Sequence, residues 1–219
     1  LDKFELVIGN KNYSSWSLRP WLALKHTGAV FTETRIALYM PGFKKEVARH
    51  TGSGKVPVLK HGTLNLWESL AICEYLAELF PAAQLWPESA AERAEARSLS
   101  TEMHAGFTGI RGCMPFNCRV RDRRVLRTQD VENEIKRVEE IWNSCRARHQ
   151  TQGPWLFGRF TIADAMFAPV ALRFVTYGVE LKGAAQEYMT TVETHAPVQE
   201  WIAAAREERE VIESSEVGK

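Results

Sequence analysis

Gly54-Lys55-Val56-Pro57-Val58-Leu59-Lys60 and, six residues on, Leu66-Trp67-Glu68-Ser69-Leu70-Ala71-Ile72 form the stretch whose reading decides the fold. Val58 to Lys60, a turn at His61-Gly62 and Leu64 to Trp67 read as a β-hairpin. Ser69 to Phe80 then carries Ile72, Leu76 and Leu79 on one helical face, and Pro81 ends it. Upstream, Phe4 to Ile8 is a short buried strand closed by Gly9-Asn10. Leu18, Trp21, Leu22 and Lys25 follow at helical spacing as far as Gly28, and Phe31 to Ile36 reads as a second strand. The order is strand, helix, strand, irregular segment, hairpin, helix, which predicts a small α/β domain with a mixed sheet.

Past residues 82–87 the strand signal ends. Val131, Ile135, Val138, Trp142 and Cys145 step along one stripe of a helix. Ala163, Phe167, Val170, Phe174 and Tyr177 do the same in a more apolar setting, so that helix is expected to be central. Pro197 in a first turn, followed by Trp201 and Ile202, gives another. The expected division is therefore an α/β domain over 1–81, a linker over 82–87 and an all-helical domain over 88–219. The charged residues from Glu207 onward are expected to fray.

Bulk properties narrow the partners. With 28 basic and 27 acidic side chains the formal charge is +1, without the basic excess expected of a nucleic-acid binder. The run Arg119 to Arg124 reads as a solvated face or loop. Cys73, Cys113, Cys118 and Cys145 show no paired spacing, which suits reduced thiols in a cytoplasmic protein. The six histidines are scattered, so no metal is expected. No apolar run approaches the ~18 residues of a membrane span, and no signal peptide is read before Phe4. The chain opens at Leu1 rather than Met, which points to a start that is missing or altered.

Four short motifs are candidates for chemistry. In Tyr13-Ser14-Ser15-Trp16-Ser17-Leu18-Arg19, Ser17 is the natural helix cap, leaving Ser14 and Ser15 in the loop at the carboxyl end of a strand, where α/β folds place ligands. Pro57 opens a strand, a position that permits either peptide isomer, with trans the ordinary one. Glu68 and Ser69 sit at a strand-to-helix junction, where Ser69 either caps the helix or helps its N-terminus hold an anion. Thr161-Ile162-Ala163-Asp164 has the pattern of a capping box and is read as structural.

In this order and spacing, the motifs resemble the cytosolic glutathione transferase family, of the serine-type, zeta- or phi-like bacterial kind. The resemblance covers nearly the whole chain and is most specific in KVPVL…LWESLAICEYL and FTIADAMFAPV. It implies a thioredoxin-like first domain, an all-helical second one, a homodimer, and glutathione as cosubstrate. Serine-type classes place a catalytic serine five residues before an arginine. Arg19 therefore points to Ser14, with Ser15 one residue off that spacing in reserve. Pro57 corresponds to the family's cis-proline, which presents the backbone of Val56 to the cysteinyl part of glutathione. Lys55 is matched to the glycyl carboxylate, and Glu68 with Ser69 to the γ-glutamyl end. The acceptor side is expected between the domains, with Met103, Phe107, Arg111, Met114, Phe116 and Arg173 as candidates beside a core-packing alternative. Two arginines there suit an anionic electrophile.

Three activities follow from the resemblance. The first is conjugation of the glutathione thiolate to a small hydrophobic or anionic electrophile. The second is glutathione-dependent cis-trans isomerisation of the maleylacetoacetate isomerase kind, favoured by the double serine and disfavoured by Trp16, where that class often has Cys. The third is a non-enzymatic interaction protein on the same fold. The retained serine, Pro57, Glu68 and Ser69 count against the last.

Overall fold

The computed structural model describes residues 3–219. Strand β1 (Phe4–Ile8) leads through helix α1 (Ser15–Thr27) to β2 (Phe31–Arg35), which pairs parallel with β1. A short helix α2 (Phe43–Val47) precedes the hairpin of β3 (Val58–His61) and β4 (Leu64–Trp67), and α3 (Ser69–Leu79) follows. The sheet order is β2-β1-β3-β4, with β3 antiparallel to both neighbours. This is the mixed sheet expected from the sequence. Parallel β1 and β2 need a crossover between them, and α1 supplies it. Leu18, Trp21 and Leu22 of α1, together with Ile72 and Leu76 of α3, are buried with Leu6 and Ile8 of β1.

The rest of the described chain is helical: α4 (Ala90–Ala105), α5 (Thr108–Cys113), α6 (Gln129–His149), α7 (Ile162–Thr176), α8 (Gly183–Thr194) and α9 (Ala196–Arg206). Helix α7 is central, as its uniform apolarity predicts, and every residue of it but Val175 is buried. It packs on α1, α4 and α8. Its start is the expected capping box. Asp164 accepts from the Thr161 N–H at 2.7 Å and, through its other oxygen, from the Leu156 N–H at 3.1 Å. That satisfies helix-end donors that burial would otherwise leave unpaired.

Two sequence expectations change. Helix α1 begins three residues earlier than its apolar pattern indicates. Its cap is Ser14, whose side chain accepts from the Ser17 N–H, and Ser17 lies inside the first turn. The hydrophobic period starts only at Leu18, so it cannot report the polar turn before it. The helix also runs through Pro20, which has no N–H to give the carbonyl of Trp16. The charged terminus, expected to fray, is instead tied down. Glu208 accepts from the Lys11 and Asn12 N–H groups at 2.7 and 3.0 Å. Glu216 accepts from Tyr13 Oη and Asn117 Nδ2, both at 2.8 Å, and from Arg123 at 3.0 Å. The arginine run is likewise an anchored loop: Arg119 donates to the carbonyls of Glu208 and Glu210.

All four thiols are unpaired. Cys73, Cys118 and Cys145 are buried, and burial pushes each of them up to about 12. Cys113 is half-buried, with a smaller upward displacement from the same cause. A thiol reagent near neutral pH is therefore expected to titrate one cysteine, Cys113, in the folded protein and all four only after unfolding. Fast reaction of Cys73 in the native state would contradict this burial.

Between α1 and the α8–α9 junction, His26 Nε2 meets His195 Nε2 at 2.8 Å, and the His26 ring stacks on Phe160 with centroids 3.5 Å apart. Burial, then the neighbouring His195, pulls His26 down to about 4, and burial lowers His195 as well. An unfolded histidine takes its proton near pH ~6.5, a proton the folded pair refuses. Stability is thus expected to be full above about pH 6.5 and to fall as pH drops toward about 4. Denaturant midpoints measured across that window should show the slope, and His26→Asn should flatten it.

Candidate functional site

The loop after β1 turns on its own backbone. The N–H groups of Tyr13 and Ser14 both donate to the carbonyl of Asn10, at 3.1 and 2.8 Å. The turn delivers Ser14 to the start of α1 and to the wall of a cleft of about 590 Å³. Tyr13 and Trp16 line the same wall. Ser53, Gly54, Lys55, Val56 and Pro57 also line it, with Trp67, Glu68, Ser69 and, from the helical half, His104 of α4.

Each candidate for glutathione recognition lies on this cleft. The Val56-Pro57 peptide is cis. Val56 precedes β3, so its N–H and C=O stand outside the ladder that β3 makes with β4. Glu68 has φ 68°, a positive value rare outside glycine and a backbone arrangement that costs about 1–3 kcal/mol. Its carboxylate lies 3.7 Å from His104 Nε2. Ser69 begins α3 and is 1% exposed, and its hydroxyl is without a hydrogen-bond partner among the described residues. A buried hydroxyl at a helix N-terminus, facing a cleft and lacking a partner, suits an incoming carboxylate. Lys55 stands exposed at the rim.

The two serine candidates face different ways. Ser14 Oγ borders the cleft and sits 2.7 Å from Ser17 Oγ. Ser15 does not line the cleft; its hydroxyl accepts from Arg173 Nη2 at 3.3 Å. Adjacent residues entering a helix point about 100° apart, so one serine alone can occupy this wall.

The acceptor-side candidates are placed differently from their expected positions on a cleft wall. Met103, Phe107, Met114 and Phe116 are buried in the core that joins α4, α5 and α7. They do the packing that their apolar character equally allows. Arg111 and Arg173 also stay off the cleft, but both lie near enough to Arg19 to repel its charge, and Arg111 shares the Trp16 ring with Arg19. The Arg19 guanidinium lies 4.1 Å above the indole and that of Arg111 5.4 Å from it. Arg19 and Arg173 are 1% and 4% exposed, and neither forms a salt bridge among the described residues. Nε and Nη1 of Arg19 and Nη1 of Arg173 have no hydrogen-bond partner there. Burial pulls Arg19 down to about 9, with repulsion from Arg173 and Arg111 adding to it, and burial pulls Arg173 to about 10.

Sequence reasoning missed His104, Tyr13 and the clustering of the arginines. His104 follows Met103, and its helix shows the cleft the face next to the apolar stripe. A polar residue flanking the stripe was the available signal. Arg19, Arg111 and Arg173 are far apart in the chain, and no spacing rule joins them. Burial of His104, then the nearby Arg19, lowers its affinity for a proton, against the pull of Glu68. Among the described residues, no group of three His, Cys, Asp or Glu is arranged to hold a metal ion.

Comparison with known proteins agrees with this geometry. A family model described as glutathione S-transferase, N-terminal domain, matches residues 13–79, and its C-terminal domain counterpart matches residues 125–204. A protein of Vibrio cholerae named probable maleylacetoacetate isomerase is 37% identical over 100 residues, which cover 44% of this chain and 46% of that protein. The chain thus spans under half of that relative's length. The maleylacetoacetate isomerase of Rattus norvegicus is 27% identical over 176 residues, 76% of each chain. A Burkholderia glutathione transferase homolog, solved with bound glutathione, superposes with a TM-score of 0.72 at 22% identity, covering 94% of this chain and all 100% of that one. The theta-class enzyme of Xanthomonas axonopodis pv. citri, also with glutathione bound, gives 0.65 at 22% identity over 92% and 98% of the two chains. The two domain models together take in more than half of the sequence, and both name one family. The mixed four-stranded sheet carrying the cleft and the helical half that closes it are the two domains of that family, and the chain is a member of the glutathione S-transferase family.

Proposed function

We propose that this protein binds glutathione in the cleft and that Ser14 donates its hydroxyl hydrogen to the glutathione thiolate, which attacks a small electrophile. The observation that carries the reading is the position of Ser14, at the helix start and lining the same cleft as Val56, Glu68 and Ser69. The Ser69 hydroxyl and the α3 N-terminus would take the γ-glutamyl carboxylate, with Glu68 near its ammonium. The Val56 backbone would pair with the cysteinyl peptide as an added strand does, and Lys55 would reach the glycyl carboxylate. The domain division is proposed to lie at 82–87.

In the conjugation step the thiol proton leaves to solvent. The sulfur lone pair forms a thioether bond to carbon, and the displaced group departs with its electron pair. A free thiol with a pKa of about 8.5 is only a few per cent ionised near neutral pH. A hydrogen bond to a charged group is worth about 1.5–3 kcal/mol, or about one to two pKa units. Ser14 keeps its proton throughout and acts by donating a hydrogen bond.

A second reading, glutathione-dependent isomerisation of an anionic cis-unsaturated acid, has its own support. The Vibrio and rat relatives carry that name. Arg19, Arg111 and Arg173 put positive charge beside the serine loop, and Glu134 opposes it at Arg111. In both readings an anionic acceptor is favoured. Arg111 and Arg173, which do not line the cleft, are proposed to favour that acceptor through their charge, and Met103, Phe107 and Met114 are assigned to packing. A homodimer in the cytoplasm is proposed from the family and the four unpaired thiols. No described helix is long and apolar enough to cross a membrane.

Titrating the thiol of bound glutathione tests the central claim. Ser14→Ala is expected to raise its pKa by about one to two units with modest loss of affinity, and Ser15→Ala to leave it in place. The reverse pattern would move the role to Ser15. Absence of glutathione binding in the wild-type protein would favour a non-enzymatic interaction protein. Turnover of an aromatic halide against a cis-unsaturated diketo acid then separates conjugation from isomerisation.

A further inference from the structure

Resting on the assignment of Ser14 above, we infer that Ser17 is a positioning residue that fixes the direction of the Ser14 hydroxyl, holding its hydrogen toward the cleft. Ser17 is fully buried and does not line the cleft. Its Oγ accepts from the Gly9 N–H at 3.1 Å and lies 2.7 Å from Ser14 Oγ. Ser14 Oγ also accepts from the Ser17 N–H at 3.4 Å.

The 2.7 Å contact can run in two directions. If Ser14 donates, the buried Ser17 hydroxyl hydrogen has no acceptor among the hydrogen bonds of the described residues, and nothing is left to point at a thiolate. If Ser17 donates, every group is satisfied. Gly9 N–H then gives to Ser17, Ser17 O–H gives to Ser14, and the Ser14 hydrogen is free for the cleft. Buried polar groups settle into the arrangement that leaves none unpaired. The same chain polarises each successive hydroxyl, strengthening Ser14 as a donor. Gly9 ends the loop's approach from β1, so the strand's own backbone sets the direction of the relay.

The test uses the whole protein and follows the thiolate of bound glutathione by ultraviolet absorbance against pH in wild type, Ser17→Ala, Ser17→Thr and Ser14→Ala. Ser17→Ala should raise the thiol pKa by about half to one unit. It should lower kcat/KM by about threefold to tenfold below the wild-type pKa, with the loss vanishing at alkaline pH. Glutathione affinity should change less than about twofold, and Ser17→Thr, which keeps the hydroxyl, should restore the titration. Thermal midpoints identify any variant that fails to fold, and Ser17→Thr then carries the comparison. A shift in Ser14→Ala with none in Ser17→Ala would overturn the role of Ser17 and leave Ser14 standing. A loss in Ser17→Ala that is equal at every pH would also overturn it, as the mark of mere structure. An unshifted Ser14→Ala would overturn both assignments.

Discussion

The hydrogen bond from the Gly9 N–H to Ser17 Oγ joins the end of the central strand to the first turn of its crossover helix, and the placement of the cleft depends on it. Gly9 lies one residue past β1, where the ladder can no longer satisfy its N–H. A helix residue supplies the acceptor, and that brings α1 close over the strand end. The loop between them has to turn within Asn10–Ser14, which puts Ser14 on the cleft that Val56 and Ser69 also line. A polar group that had to be satisfied thus sets the position of the proposed hydrogen-bond donor.

Positive charge on the other side of the loop is the less ordinary feature. Burying an arginine without a carboxylate is costly, and Arg19 and Arg173 are both buried beside this loop. The indole of Trp16 offsets part of the cost at Arg19 through its ring face. The carbonyl of Met114, at 2.8 Å from Nε, offsets part of it at Arg173. The remaining field falls on the serine loop, where it would favour the proposed thiolate and an anionic acceptor alike. The same indole forms part of the cleft wall, so Trp16 stands between the arginines and whatever enters.

The terminal segment completes the support of this loop from behind. Glu208 and Glu216 are buried enough, at 7% side-chain exposure, for their hydrogen bonds to count for more than surface ion pairs. They hold Lys11, Asn12 and Tyr13, the residues just before Ser14, to α9 and to the arginine loop at Arg119 and Arg123. The loop is therefore braced by both halves of the molecule.

Much of the fold was legible in the sequence, because apolar periodicity and turn residues act over short distances. The hairpin at 58–67, the helix after Ser69, the central α7 and its capping box all follow from local pattern. That Ser14, Pro57, Glu68 and Ser69 sit near element boundaries was also legible, while the roles proposed for them came from the family resemblance. What the sequence by itself determined was this order of elements and the residue types at their junctions. Tertiary structure alone decided that Ser14 and not Ser17 caps α1, that Ser15 turns to Arg173, and that the charged terminus is anchored. It alone brought three distant arginines near one another, two of them over Trp16, and sent Met103 and Phe107 into the core. These outcomes depend on how buried polar groups and charges find partners across the chain, and such partnerships have no sequence period.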